Sequence, residues 1–352
     1  MRKITATLAI AIVLFSCNKK ETKTIEQVDP KTGKVTQIEV PVQDSVEIAK
    51  KEAEKFAIRD SAGVYHQYLR LEVGKEYPFT TQQKDVATVK MPDGTSQTVT
   101  RENTDVINFK VNAVQGGVYD MDIIFVSKKT TQTGMGVTQT VDTKASAPKD
   151  EGLKNRWEIE KALTGNTLKM KLRENGEIIS ITGFDAVYNK LNTTVAKLTK
   201  DKKQQEAVLK EMKASFTEKI IRDQFSKNIF ILPKKGAKIG ETWSHSENVS
   251  PDGKVKLTSN YTLKKVENGI AEITVSGGVP KQTQKDTQQG VTQTLTSELS
   301  QNGSYQFDAK TGWIKSQNIT VKNKESQSFT DGKRTETMTN SSVMTVIVNP
   351  SK

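Results

Sequence analysis

Thiols and imidazoles are nearly absent from this 352-residue chain, which has one cysteine, Cys17, and two histidines, His66 and His245. A solitary cysteine excludes an internal disulfide, so packing alone must hold the fold. The histidines lie in separate strand-like segments, outside any HExxH arrangement, and no second cysteine completes a zinc set. No metal or other cofactor is expected. GxSxG elbows, GxxxxGK phosphate loops and GxGxxG cradles are missing too. Gly134-Met135-Gly136 lacks a third glycine and sits in a threonine-rich β loop, where no helix amino terminus can receive a phosphate. The chain therefore reads as a non-enzyme. The apolar run Ile4 to Phe15, broken by Thr5 and Thr7, is shorter than the roughly 20 residues a membrane-spanning helix needs.

What is present begins at that run. Arg2 and Lys3 precede it, giving the charged-then-apolar order of an export signal. The run ends in Leu14-Phe15-Ser16-Cys17, which resembles the bacterial lipobox. The resemblance implies cleavage between Ser16 and Cys17, a diacylglyceryl group on the Cys17 thiol and an acyl chain on its amine. Two or three chains hold a protein on a membrane effectively permanently, because each buried methylene contributes about 0.8 kcal/mol. Asn18, where inner-membrane lipoproteins typically carry aspartate, favours the outer membrane, facing the periplasm or the outside.

Charge narrows the partners. Loss of Arg2 and Lys3 with the signal lowers the formal charge from +12 to +10. A basic exported chain meets lipid headgroups or acidic polysaccharide rather than nucleic acid.

Residues 17–43, polar and threonine-rich, read as the lipidated cysteine and a tether, with a local hairpin at "DPKTGKV". Val46, Ala49, Ala53, Phe56 and Ala57 recur at helical spacing and predict a short helix over Ser45–Ile58 within a 44–67 lead-in. Beyond it the period becomes two. "DVINFKVNAV" puts Ile107, Phe109, Val111 and Ala113 on one face, "VYDMDIIF" does so with Tyr119, Met121, Ile123 and Phe125, and Gly116-Gly117 suits the hairpin turn between them.

A repeat organises these strands. "FKVNAVQGGVYDMDI" from Phe109 recurs as "YTLKKVENGIAEITV" from Tyr261, with Gly117 and Gly269 in register. "GKEYPF" from Gly74 answers "GETWSH" from Gly240, "GVTQTV" at 136–141 returns as "GVTQTL" at 290–295, and "LRENGEI" has an echo in "DAKTGWI". Preserved order argues for a duplicated unit, with 68–182 as the first β repeat and 233–352 as the second. The 183–232 insert reads as two helices, the second capped by Asp201 and carrying Leu209, Met212, Phe216 and Ile220 on one stripe. Between Lys197 and Lys235 eleven lysines and arginines face five aspartates and glutamates, a lysine-rich surface for a protein partner, anionic polysaccharide or lipid headgroups.

Four smaller features remain. His245 occupies the repeat position of Phe79 and is expected to pack. Asp120 and Asp122, without a matching pair in the second copy, are expected to form a solvated face. "GEIISITGFDAVYNKL" is similar to a strand-to-helix segment of immunophilin-type prolyl isomerases, whose aromatic pocket motif is otherwise absent. Asp44-Ser45-Val46 and Asp60-Ser61-Ala62 resemble a bacterial O-glycosylation acceptor, making Ser45 and Ser61 candidate sites.

Signal, tether, paired β units and insert resemble a domain-of-unknown-function family of Gram-negative envelope lipoproteins, best over "LRLEVGKEYPF" and "LPKKGAKIGETW", across about residues 68–348. The resemblance implies an envelope location and no established activity. The expected fold is α+β, mainly antiparallel β, in two repeated sheets or half-barrels with helices laid against them. Two functions follow. One is a non-catalytic binding or structural protein with a packed interior. The other is a carrier of an apolar ligand, which requires an open pocket of several hundred cubic ångströms.

Overall fold

The computed structural model describes residues 22–28, 35–41, 56–250 and 253–350. Ser16, Cys17, Ser45 and most of the expected Ser45–Ile58 helix lie outside the described residues. The end of that helix is corrected: Ala57 and Ile58 donate their N–H groups to Ala309 O at 2.9 and 3.0 Å, and Ile58 opens a strand. The "DPKTGKV" segment joins an antiparallel pair, β1 (Thr22–Val28) and β2 (Val35–Pro41). A second small hairpin pairs β3 (Ile58–Ser61) with β4 (Val64–Gln67).

The other strands are β5 (Glu76–Lys90), β6 (Ser96–Gln115), β7 (Val118–Gly134), β8 (Val137–Asp142), β9 (Thr167–Arg173), β10 (Ile178–Thr182), β11 (Thr242–Asn248), β12 (Lys256–Glu267), β13 (Ile270–Gln288), β14 (Val291–Asp308), β15 (Ile314–Thr330) and β16 (Thr335–Val348). They form one twelve-stranded antiparallel sheet in the order β10-β9-β7-β6-β5-β16-β15-β14-β13-β12-β11, with β8 also on β7. Both copies therefore share a single sheet, joined where β5 pairs β16.

The repeat is visible in the ladders. Tyr77 faces Phe109 on β5–β6 as Trp243 faces Tyr261 on β11–β12. The β6–β7 and β12–β13 hairpins turn at Gly116-Gly117 and Asn268-Gly269, all with positive φ as a type I′ turn requires. In the second copy β14 pairs β13 along its length, whereas in the first the matching strand is split into β8 and β9, both on β7. A helix, α1 (Glu151–Leu163), fills the split.

Three more helices follow β10: α2 (Phe184–Leu198), α3 (Lys202–Ser215) and α4 (Glu218–Ile229). The expected two-helix insert is thus corrected to three. Asp201 caps α3 as predicted, accepting from Lys203 N at 2.8 Å. The chain leaves the helix at Phe216, whose ring packs on Phe125 and Phe184, and restarts because the Thr217 hydroxyl accepts from Ile220 N at 3.3 Å. The core-facing stripe is consequently Ile221, Phe225 and Ile229 of α4, while Ile220 stays exposed.

Helix α4 explains the curvature. At one end Arg222 donates to the carbonyls of Ile178 and Ile179 on β10, and Glu218 accepts from Ile181 N at 3.2 Å. Toward its other end Lys227 pairs with Glu247 on β11 at 2.7 Å. One helix touches both terminal strands, so the sheet is curled around it into a half-barrel. Phe225 fills the concavity, edge-on to Phe79 and Phe109 at 5.3 and 4.8 Å. Buried Gln67 fixes the end of α4: its Nε2 donates to Ile229 O and Gly312 O, and its Oε1 accepts from Ile231 N and Leu232 N, all at 3.1 to 3.2 Å.

Bulges re-aim individual residues. One between Val111 and Ala113 turns Ala113 to solvent, correcting its expected place beside Ile107, Phe109 and Val111. Away from the helices the long strands continue with polar side chains on both faces, held in register by cross-strand hydroxyl pairs such as Thr88–Thr98 at 2.9 Å and Thr287–Thr292 at 3.0 Å.

Candidate ligand-binding cleft

Helix α1 starts where Asp150 accepts from Leu153 N at 2.8 Å. It is pinned across the end of β8 by Trp157 Nε1 donating to Asp142 O at 2.9 Å and Lys161 Nζ donating to Thr143 O at 2.6 Å. Two bonds a helical turn apart fix its rotation, so Ile159, Glu160 and Leu163 face the end of α3. The opposite wall is Met212, Ser215 and Phe216, and β7 contributes Lys128. The space between measures about 520 Å³, within the usual range for small-molecule sites. A smaller pocket of about 180 Å³ shares Lys128, Leu163, Ser215 and Phe216 with it and reaches Phe125 and Ile107 on the sheet.

The walls are held from behind. Tyr188 Oη donates to Phe216 O at 2.8 Å, and Lys128 N donates to Thr143 Oγ1 at 2.9 Å. The Lys128 ammonium is paired with Asp105 at 3.1 Å. Glu160 differs from these satisfied groups. Only 7% exposed, it accepts from Arg156 Nε at 2.9 Å through Oε1, while its enclosed Oε2 receives no hydrogen bond from the described residues. An unbonded buried acceptor costs about 1–3 kcal/mol, more when charged, so Glu160, one of the residues lining the cleft, carries an unmet demand for an N–H or O–H donor just behind its apolar walls.

Other sequence candidates lie elsewhere. Ser61 is exposed at the β3–β4 turn, beside Asp60, whose carboxylate accepts from Gly63 N at 2.7 Å. Asp120 and Asp122 sit on β7 directly opposite Lys171 and Lys169 of β9, paired at 3.1 and 2.6 Å, so the expected solvated face is a ladder of ion pairs. His66 lies on β4. His245 is exposed on β11, correcting its expected packing role. Among the described residues no three histidine, cysteine, aspartate or glutamate side chains cluster to hold a metal.

Nine of the eleven basic residues of the lysine-rich insert fall into two groups. Lys219, Arg222, Lys227 and Lys235 are ion-paired with Asp223, Glu218, Glu247 and Glu241. Lys197, Lys200, Lys202, Lys203 and Lys210 are exposed at the α2–α3 corner. Sequence reasoning missed α1 and with it Glu160. The available signal was Pro148 and Asp150, a helix start embedded between threonine-rich strands.

No curated protein matches the chain. Among solved structures, a loop L8 deletion mutant of OmpT, an outer membrane protein of Vibrio cholerae, is 8% identical with a TM-score of 0.15, covering 78% of this chain and 99% of that one. Pseudomonas aeruginosa OccK5 is 4% identical with a TM-score of 0.18, covering 78% and 98%. An outer membrane channel from Pseudomonas putida F1 is 8% identical with a TM-score of 0.14, covering 82% and 99%. Superpositions this loose assign neither a barrel nor a location. Residues 116–314, more than half of the chain and spanning β7 through the start of β15, match a family of unknown function, DUF6263. The chain belongs to that family.

Proposed function

We propose that this is a non-catalytic, lipid-anchored binding protein of the cell envelope that takes an amphiphile into the α1–α3 cleft. Cys17 carries the anchor, in the outer membrane and facing the periplasm or the outside, and Ser45 and Ser61 are the candidate glycosylation points beside the tether. The single observation that carries the ligand reading is Glu160 Oε2, enclosed and unbonded beside the apolar walls of Ile159, Leu163, Met212 and Phe216. The half-barrel interior is filled by Phe225, so an acyl chain belongs in the cleft rather than under the sheet. The matching ligand has a short apolar body and an ammonium or hydroxyl head. Native mass spectrometry of the chain from residue 18, offered dodecylamine or dodecanoate, tests this. The amine should be retained, the carboxylate should not, and Glu160→Gln should weaken the amine; equal retention of both, or of neither, removes the reading.

The exposed lysines of the α2–α3 corner favour a second reading, docking of an anionic envelope polymer. Its signature is association that weakens steeply with salt, since exposed charges are screened beyond about 10 Å at 0.1 M.

A further inference from the structure

Sheets must protect their edges from pairing with other chains, and three edges here are protected. On β10 the edge is taken by Arg222 and Glu218 of α4. On the far half of β13, Pro280, Lys281 and Lys285 accompany a register shift between Val279 and Gln282. On β11 Glu247 is paired with Lys227 of α4. On β8 the helix α1 covers only the Asp142 end, and the edge before it has none of these devices. Val137 to Val141 holds no charge and no proline, and its outward side has no strand partner among the described residues.

The sequence of that edge is Val137-Thr138-Gln139-Thr140-Val141, which reads the same in both directions. The two-residue turn at Met135-Gly136, both with positive φ, makes Gly134–Val137 the closing bonded pair of the β7–β8 hairpin. Alternation then directs the N–H and C=O groups of Thr138 and Thr140 away from β7. We propose that β8 pairs antiparallel with β8 of a second copy, about a two-fold axis through Gln139. Thr138 of each copy faces Thr140 of the other, both outward-bonding, and Gln139 faces itself in a non-bonded pair. Any strand can pair antiparallel with its own copy about a two-fold axis; here the palindrome sets Thr against Thr and Val against Val, and an uncharged edge brings no like charges together.

Side chains agree with the register. Thr138 and Thr140 already pair with Thr133 and Thr131 of β7 at 3.0 and 3.1 Å, so the hydroxyl rows run on across the axis. Val137, 57% exposed, comes beside buried Val141, and Met135, 80% exposed, comes toward Trp157 on α1. The α1 bonds at Asp142 and Thr143 stop the ladder just past the symmetric stretch. So short an interface is smaller than the roughly 800 Å² per partner of a standard complex, so the dimer is weak and concentration-dependent.

The test is cysteine trapping in the full chain with Cys17→Ser, so that the introduced thiol is the sole one. A non-bonded antiparallel pair has Cα atoms about 4.5 Å apart, which a disulfide spans. Gln139→Cys should form a covalent dimer on the order of tenfold faster than Thr138→Cys or Thr140→Cys, each of which meets its own copy diagonally at about 7–8 Å. The double Thr138→Cys/Thr140→Cys variant should link as well. In sedimentation equilibrium the dimer seen near millimolar protein should be lost in Gln139→Lys, which puts two ammonium groups at the axis and leaves the β7–β8 ladder intact. Equal trapping at the three single positions, or a monomer at every concentration, overturns the proposal.

Discussion

Replacing Gln67 tests how the half-barrel is closed. Its amide makes four bonds, three to the end and exit of α4 (Ile229 O, Ile231 N and Leu232 N) and one to Gly312 O, and so ties the β3–β4 hairpin, the helix and the β14–β15 turn together. With about 0.5–1.5 kcal/mol net per hydrogen bond, Gln67→Ala should cost roughly 2–6 kcal/mol, before counting the orphaned N–H groups of Ile231 and Leu232. Urea unfolding followed by tryptophan fluorescence measures this, since Trp313 is buried nearby in the same core. Gln67→Glu sharpens the test. The introduced carboxyl keeps the acceptor for Ile231 and Leu232 but sets a negative oxygen against two carbonyls, so its pKa must rise in the folded state. A group with a raised folded pKa stabilises as pH falls through that value, so the Gln67→Glu deficit should shrink on acidification while the Gln67→Ala deficit stays constant. A cost below about 1 kcal/mol for Gln67→Ala, or a Gln67→Glu deficit independent of pH, would refute the bonding scheme.

Phe225→Ala removes the ring that fills the concavity and should cost about 3–5 kcal/mol in the same unfolding assay, whereas Phe329→Ala, on the exposed far sheet, should stay within about 0.5 kcal/mol. Burial, reinforced by neighbouring Tyr261, raises the Tyr305 hydroxyl well above its ordinary 10.0. The stability this gives is present below pH 10 and is lost as pH climbs toward the folded value, so Tyr305→Phe should flatten the alkaline decline in thermal stability; an unchanged slope would show that other groups cause it. At Gly278, with φ of 149°, an added Cβ would lie 1.9 Å from Leu299 O, so Gly278→Ala should break local β13–β14 pairing and speed amide exchange there, while Gly332→Ala, with open space around it, should not affect that pairing.

Much of this architecture is legible in the sequence because period-two strands state their own faces. Phe109, Met121 and Ile123 are buried as the alternation requires, and the duplicated "QGG" and "ENG" turns adopt the same positive-φ geometry. What is illegible depends on contacts between distant segments. Phe216 has the right spacing to continue a helix, yet two aromatic partners, Phe125 and Phe184, draw it out of the helix. Ala113 follows the alternation, yet a bulge reverses it. The cleft was hidden for a related reason: α1 interrupts what the second copy keeps as one strand, so the repeat itself suggested strand there, and Glu160 gains meaning only when α3 arrives opposite it.

The proposed ligand site is the cleft between α1 and α3, and not the filled half-barrel. Selective labelling of methionine methyls separates the two, because Met212 lines the cleft while Met121 and Met170 are buried in the sheet core. On titration with dodecylamine below its micellar range, the Met212 resonance should move saturably and Met121 and Met170 should hold still, with the Met212 shift weakened by Glu160→Gln. Movement of Met121 or Met170 with Met212 unmoved would place the ligand under the sheet instead.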